Sequence, residues 1–345
     1  MNDEKKLCLD QWTGEKIGAP GLPLDRQELR AFQLTALRDT LALASAKSRF
    51  YKERLSNADL SLSHGPEDLE KLPFTTQEDL REQGFSMLCV SQEQISRIVT
   101  LPTSGTTGPP KRVFFTEEDQ ELTLDFFHRG MELMVGPGDK LLNFFPCVRP
   151  GSVGTLLGEG LARLGTASLN WGPPEDAMAA ALALEEEGIT AIAGAPSHIL
   201  PVARAWKAMM GPEKRRKAGS SGIRTVLLSS EYVSEECLEE LKELWGCRCF
   251  EHYGSTEMGL GGAVACGFGK GYHPREADLY FEIIDPASGQ VLPEGEYGEV
   301  VFTTLTRRGM PLIRYRTGDR SRWIPEPCPC GSSLRRLDKV GKRGE

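Results

Sequence analysis

Apolar positions along this chain follow first a helical period, then an alternation of short apolar runs with helical stretches, and finally a strand-and-turn pattern. The first 25 residues are rich in Gly and Pro and read as an irregular N-terminal arm. Asp25 and Glu28 have the spacing of a capping box, and Leu34, Leu37, Leu41 and Ala44 give the helix that follows one apolar face. A second start, Thr75-x-x-Glu78, follows Pro73-Phe74, and Thr116 is placed to cap a third helix. Leu141–Pro146 reads as a buried strand. Beyond it the pattern predicts a helix near 174–187, a strand at Ala191–Ala193, a helix from Ser197 and a strand at Thr225–Leu228. A helix over Ser234–Trp245 and a strand over Cys247–His252 complete the alternation. Strands separated by helices pair in parallel and need helices on both faces, so the expected fold class is α/β. Ligands of such sheets bind where strand C-termini meet loops, and both Ser229–Glu231 and Tyr253–Glu257 fall at such boundaries. From 278 to 337, short strands at Tyr280–Ile284 and Glu299–Phe302 flank a Pro/Gly-rich stretch and predict a β-rich subdomain.

Composition narrows the function classes. A chain of 345 residues with 39% hydrophobic residues has ample material for a core. The net charge of −8 and acidic pI disfavour a nucleic-acid surface. No apolar run approaches the roughly 18 residues of a membrane span, and the N-terminus has no signal-peptide pattern. A soluble, cytoplasmic protein without nucleic-acid or membrane partners is the expectation. Nine cysteines without a secretory signal point to buried thiols or metal ligands rather than a disulfide framework.

The chemistry gathers on three strings. Thr103-Ser104-Gly105-Thr106-Thr107-Gly108, followed by Lys111, combines glycines that expose backbone N–H groups with hydroxyl donors and a positive charge, a combination suited to gripping a polyphosphate. It lacks the Walker A spacing. In His252-Tyr253-Gly254-Ser255-Thr256-Glu257, Tyr253 offers a flat ring to a purine, Thr256 a hydroxyl to a phosphate oxygen, and Glu257 a hard oxygen ligand for Mg²⁺. Tyr315-Arg316-Thr317-Gly318-Asp319 places a carboxylate at a turn. His198 lies at the mouth of a helix after a strand, where it lines a pocket or caps the helix.

These strings, in this order, resemble the motifs of the adenylate-forming (acyl-CoA synthetase) superfamily. Leu72-Pro-Phe-Thr-Thr-Gln-Glu-Asp-Leu80 is similar to the L-P-F-T-T-K-x-D-L string of phenylacetate–CoA ligases. The resemblance runs from residue 26 to the end and implies the family's large N-terminal domain over 26–337. It implies a pyrophosphate grip in the loop, catalytic roles for Lys111, Thr256 and Glu257, adenine stacking on Tyr253 with contacts at Gly254, and ribose binding by Asp319. Ser230 and Glu231 occupy the place of the adenine-contact turn. Phe144, Phe145, His198, Gly259 and Gly261 are the implied acid-pocket candidates. Residues 338–345 resemble the start of the family's hinge, with Arg343 at its arginine, and the mobile C-terminal domain is then expected to be absent. The implied reaction is ATP-dependent activation of an aryl or arylacetic acid to an acyl-adenylate with release of pyrophosphate. CoA enters only where a C-terminal domain is supplied. Two alternatives stand beside it: a nucleotide-binding relative acting with a partner chain or as a homodimer, and a folded but inert fragment.

Cys328-Pro-Cys330 has the look of half a zinc knuckle, and Cys266 and His273, separated by six residues in a Gly-rich loop, complete a Cys₃His set. A similar set accompanies some phenylacetate–CoA ligase-like proteins, which implies structural Zn²⁺; unligated thiols are the alternative. Cys247-x-Cys249 is a rival pair, although alternate residues on a buried strand share one face and suit core packing.

Overall fold

The computed structural model describes residues 7–101, 110–210 and 221–341. They fall into two compact units, the first built on 123–254 with 263–272, the second on 9–122, 255–262 and 273–345.

The first unit is a parallel sheet with the strand order Ala167–Asn170, Lys140–Asn143, Ala191–Gly194, Thr225–Leu228, Arg248–Tyr253, extended by the short antiparallel strand Ala263–Val264. Every residue of the strands Ala191–Gly194 and Thr225–Leu228 is buried, as a parallel sheet covered on both faces requires. One contiguous core unites Leu142, Ile192 and Val226 of the sheet with Leu184, Val202, Trp206, Leu241 and Trp245 of the helices Ala177–Glu186, Pro196–Met209 and Glu235–Trp245. After Lys140–Asn143 the chain steps outward to Ala167–Asn170, then returns past its starting strand to Ala191–Gly194. That reversal is a topological switch point, the place where open α/β sheets bind ligands. A Cβ on Gly194 would stand 2.9 Å from Phe144 Cβ, so this close strand approach needs glycine.

The second unit holds a three-stranded antiparallel sheet, Leu279–Ile284, Gly298–Thr304 and Tyr315–Ser321, with a bulge between Glu299 and Val301. It also holds a hairpin, Arg97–Leu101 with Lys111–Phe115. The sheet is joined to residues 9–122 by long-range bonds. The Tyr51 hydroxyl meets Thr75 Oγ1 at 3.0 Å and accepts from the Ile313 N–H at 3.0 Å. Arg314, in a left-handed conformation at φ 47°, donates to both carboxylate oxygens of Glu282 (3.1 and 2.8 Å) and to the carbonyls of Glu70 and Leu72. Burial pushes the Glu282 carboxyl above its ordinary range even against this guanidinium, so the pair orients three chain segments more than it stabilises them.

Two expectations are corrected. The N-terminal stretch is not an irregular arm: Cys8–Ile17 is a helix with Leu9 and Trp12 buried. Tertiary contacts hold it, with Lys16 Nζ 2.5 Å from Asp278 and Asp10 accepting from the Ser333 N–H at 2.8 Å. The capping box near 75 lies one residue later, on Thr76 and Asp79, because the Thr75 hydroxyl is already committed to the Ile313 carbonyl at 2.7 Å. The long helix does start at Arg26 under an Asp25 cap, with Leu37, Leu41 and Ala44 buried. Thr116 and Asp119 cap each other, and Asp119 also accepts from the Arg308 and Gly309 N–H groups. Among the described residues no helix is long and apolar enough to cross a membrane.

Arg314→Met leaves Glu282 buried without its counter-charge, so the folded state is expected to lose about 3–5 kcal/mol. Urea denaturation followed by far-UV circular dichroism measures this, and a midpoint unchanged from the unmodified chain contradicts it.

Candidate active site

In the second unit, Leu101 and Lys111 close the hairpin as register partners, so the hydroxyl–glycine string is the connection between two paired strands. Thr103, Ser104, Gly105, Thr106, Thr107 and Gly108 lie outside the described residues, as does Arg343. Lys111, at the exit, is well placed: its Nζ is 2.7 Å from Glu257 Oε1 and 3.4 Å from Gln77 Oε1. The side chains of Lys111 and Glu257 are 13% and 6% exposed, which makes this a nearly dry ion pair. Tyr315 donates its phenol to the same Glu257 oxygen at 3.2 Å.

Glu257 sits in a tight turn. The Met258 N–H reaches the Ser255 carbonyl, the Gly259 N–H reaches that of Thr256, and Arg275 donates to the Met258 carbonyl. Burial alone would push the Glu257 carboxyl up. The Lys111 ammonium and its hydrogen bond, the backbone N–H and the Tyr315 phenol more than reverse this and hold it below the usual carboxylate range. The group is therefore an anion at neutral pH, a hard oxygen donor of the kind Mg²⁺ takes. Thr256 beside it is half-buried, and Gly259 and Gly261 are buried in the same turn region. Asp319 lies past Gly318, in the strand Tyr315–Ser321, where its N–H bonds the Thr317 hydroxyl at 3.0 Å and the Gly318 N–H bonds Glu299 at 3.0 Å.

The remaining candidates belong to the first unit. Tyr253 ends its strand, buried, with its ring centroid 6.4 Å from that of Tyr272, and Gly254 after it is exposed. Ser230 is exposed with φ 73°. Glu231 accepts from both the N–H (3.2 Å) and the hydroxyl (2.7 Å) of Ser197 and so serves the start of the helix Pro196–Met209. His198, half-buried in that first turn, is not its cap. Ser229 Oγ meets His252 Nδ1 at 2.7 Å. Phe144 and Phe145 follow the switch-point strand; Phe144 is wholly buried in the core and Phe145 nearly so.

Two partners of the site were not singled out from sequence. Gln77 donates to the Thr317 carbonyl at 2.7 Å while accepting from Lys111, and the Tyr315 phenol completes the Glu257 cradle. Both lie within strings already quoted, and Gln77 stands at the lysine of the phenylacetate–CoA ligase string.

A separate cluster in the second unit consists of His273, Cys328 and Cys330, all buried, with ligand atoms within 4.8 Å of one another. Cys330 Sγ is 3.5 Å from His273 Nε2. Zn–S and Zn–N bonds of ordinary length, set at the tetrahedral angle, place such atoms about 3.6 Å apart. The Ser332 N–H donates to Cys330 Sγ at 3.4 Å. Cys266 is counted in the first unit.

A family model described as AMP-binding enzyme matches residues 26–305. The chain belongs to the AMP-binding enzyme family. Among its relatives, the phenylacetate-coenzyme A ligase of Escherichia coli (strain K12) is 30% identical over 325 residues, a match covering 92% of this chain and 72% of the relative. That of Thermus thermophilus is 29% identical over 328 residues, covering 92% and 71%. This AMP-binding enzyme is thus phenylacetate–CoA ligase-like, of the AMP-forming acid–thiol ligase type. A solved 2-hydroxyisobutyryl-CoA ligase, in complex with 2-HIB-AMP and CoA in the thioesterification state, superposes with a TM-score of 0.80 at 24% identity. That match covers 93% of this chain and 69% of the other. An open conformation of the same ligase gives 0.81 at 21%, covering 93% and 76%. At that identity the likeness shows the fold, the large α/β domain of an adenylate-forming ligase.

A lowered carboxyl contributes stability above its unfolded pKa and loses it as pH falls through the folded value. In Lys111→Met, burial of Glu257 is opposed only by the weaker hydrogen bonds, so its carboxyl is expected to titrate above the ordinary range. Carboxyl-carbon NMR titration of Glu257 reads this directly; a Glu257 titration unchanged by the substitution contradicts the pairing.

Proposed function

We propose that this AMP-binding enzyme activates an aryl or arylacetic carboxylic acid with ATP, forming an acyl-adenylate and releasing pyrophosphate. The dry Lys111–Glu257 pair, at the exit of a hydroxyl–glycine loop, carries the reading. The names of the relatives support the acid class.

In this reaction the substrate carboxylate attacks the α-phosphorus, and the bond from that phosphorus to the pyrophosphate oxygen breaks. The protein forms no bond itself; it positions the reactants and balances charge. The loop 103–108 holds the departing phosphates and Lys111 adds a cation beside them. Thr256 offers its hydroxyl to the α-phosphate, Tyr253 stacks the adenine beside Gly254, and Ser230 and Glu231 contact its edge. Asp319 accepts from the ribose hydroxyls. Glu257, fixed by Lys111 and Tyr315, would hold Mg²⁺, which when bound neutralises charge on the phosphate oxygens. Phe144, Phe145, His198, Gly259 and Gly261 shape the acid pocket, and Arg343 begins the hinge. Delivery of the acyl group to the CoA thiol is the partner half-reaction of the ligase type.

His273, Cys328, Cys330 and, from seven residues upstream of His273, Cys266 hold a structural Zn²⁺ in the same proposal. A closed four-ligand site stabilises the fold and leaves no position open to substrate.

ATP–pyrophosphate exchange with a panel of aryl acids tests the activity. Glu257→Gln is expected to lower exchange by about 10²–10³-fold, and exchange that never rises above this variant's level rules the reaction out. Metal analysis of protein purified without chelator is expected to find about one zinc per chain, lowered by Cys328→Ser; less than about half an equivalent rejects the zinc site.

A further inference from the structure

The thiols of Cys247 and Cys249 lie with their sulfurs 3.9 Å apart in the first unit, and neither is absorbed by the nucleotide chemistry. Cys247 is buried against Leu241 and Trp245 in the core, while Cys249 is only half-buried and packs at the edge of that cluster. Cys247 lies just ahead of the strand Arg248–Tyr253 and just after Gly246, which ends the preceding helix in the left-handed conformation at φ 67°. Two residues one apart on a fully extended strand hold their Cα atoms about 6.6–6.8 Å apart, at the upper edge of the disulfide range. Because Cys247 precedes the first paired residue, Arg248 opposite Thr225, its backbone is not held by the sheet ladder and can close that gap.

We propose that Cys247 and Cys249 form an oxidisable dithiol, a modification site at which a small-molecule disulfide is reduced and an intrachain disulfide is made. Cys249, the more accessible thiol, attacks one sulfur of the oxidant; a mixed disulfide forms and the first half of the oxidant leaves as a thiol. Cys247 then attacks Cys249 Sγ, the intrachain bond forms, and the second half leaves as a thiol. The two cysteine protons end on the two released thiols, and two electrons pass from the dithiol to the oxidant. In the reduced pair the hydrogen bond between the thiols, with burial, holds Cys249 above its ordinary range and the same bond holds Cys247 below it, so Cys249 attacks once this contact opens. The strand that starts beside this bond ends at Tyr253, so oxidation acts on the element that presents that ring.

The test is exposure of the folded, reduced protein to oxidised glutathione, blocking with N-ethylmaleimide, and digestion with trypsin and chymotrypsin. Trypsin cleaves after Arg248 and chymotrypsin after Trp245 and Phe250, so the two cysteines part unless they are bonded. The expected product is Gly246–Arg248 disulfide-linked to Cys249–Phe250, formed with loss of two free thiols per chain and reversed by dithiothreitol. In Cys247→Ser, glutathione is expected to remain on Cys249. Separate maleimide adducts on Cys247 and Cys249 in the oxidised protein, or glutathione retained on Cys249 of the unmodified sequence, overturn the proposal. The digest of the unmodified chain decides the matter even where the variant fails to fold.

Discussion

Arg314 commits four guanidinium hydrogen bonds to two stretches of chain far from it in sequence: the carboxylate of Glu282, and the carbonyls of Glu70 and Leu72. Its backbone is left-handed, a conformation that costs a non-glycine residue energy and persists only where its surroundings enforce it. The site follows from this constraint. Tyr315 is the next residue, and its phenol steadies Glu257. Thr75, three residues past Leu72, exchanges backbone bonds with Arg314 and Arg316, which sets the register of Gln77 against Thr317. Lys111 is thereby met by Gln77 from one side and Glu257 from the other. A buried ion pair of this kind contributes little net stability, yet it decides which segments lie side by side.

The candidate site stands out in the sequence because its residues come in short strings whose composition has a physical meaning. Glycines and hydroxyls ahead of a lysine suit phosphates, and an aromatic residue shortly before a glutamate suits a nucleotide. What the strings did not reveal is the wiring between them. Nothing local in Gln77 announces that it bridges Lys111 to the Thr317 carbonyl, since those partners lie 34 and 240 positions away. Nor does anything in the Glu231 motif announce that in the fold its carboxylate also serves a helix start through Ser197.

The parallel sheet was legible for a similar reason. Its buried strands are continuous apolar runs between amphipathic helices, and the predicted Thr225–Leu228 matches the observed strand. Ala167–Asn170 escaped notice because it is an edge strand of four mixed residues, none of them buried. The hairpin flanking the phosphate string was hidden by the alternating, partly polar Arg97–Leu101. Cys8–Ile17 escaped because its helix depends on distant partners, Asp278 and Ser333, rather than on an apolar stripe of its own.

Those distant partners set an order on the making of the molecule. Most of the first unit is one uninterrupted stretch, 123–254, whereas the second gathers segments from both sides of it. Asp10 and its partner Ser333 are 323 positions apart, and Tyr51 waits 262 positions for Ile313. At ribosomal rates of about 5–20 residues per second, such a gap is on the order of tens of seconds. Through that interval Gln33 and Thr40 of the helix Arg26–Lys47 are without the Glu276 and Leu305 carbonyls they bond in the fold. The segments of the parallel sheet in the middle of the message are thus all made before the second unit has its last strand.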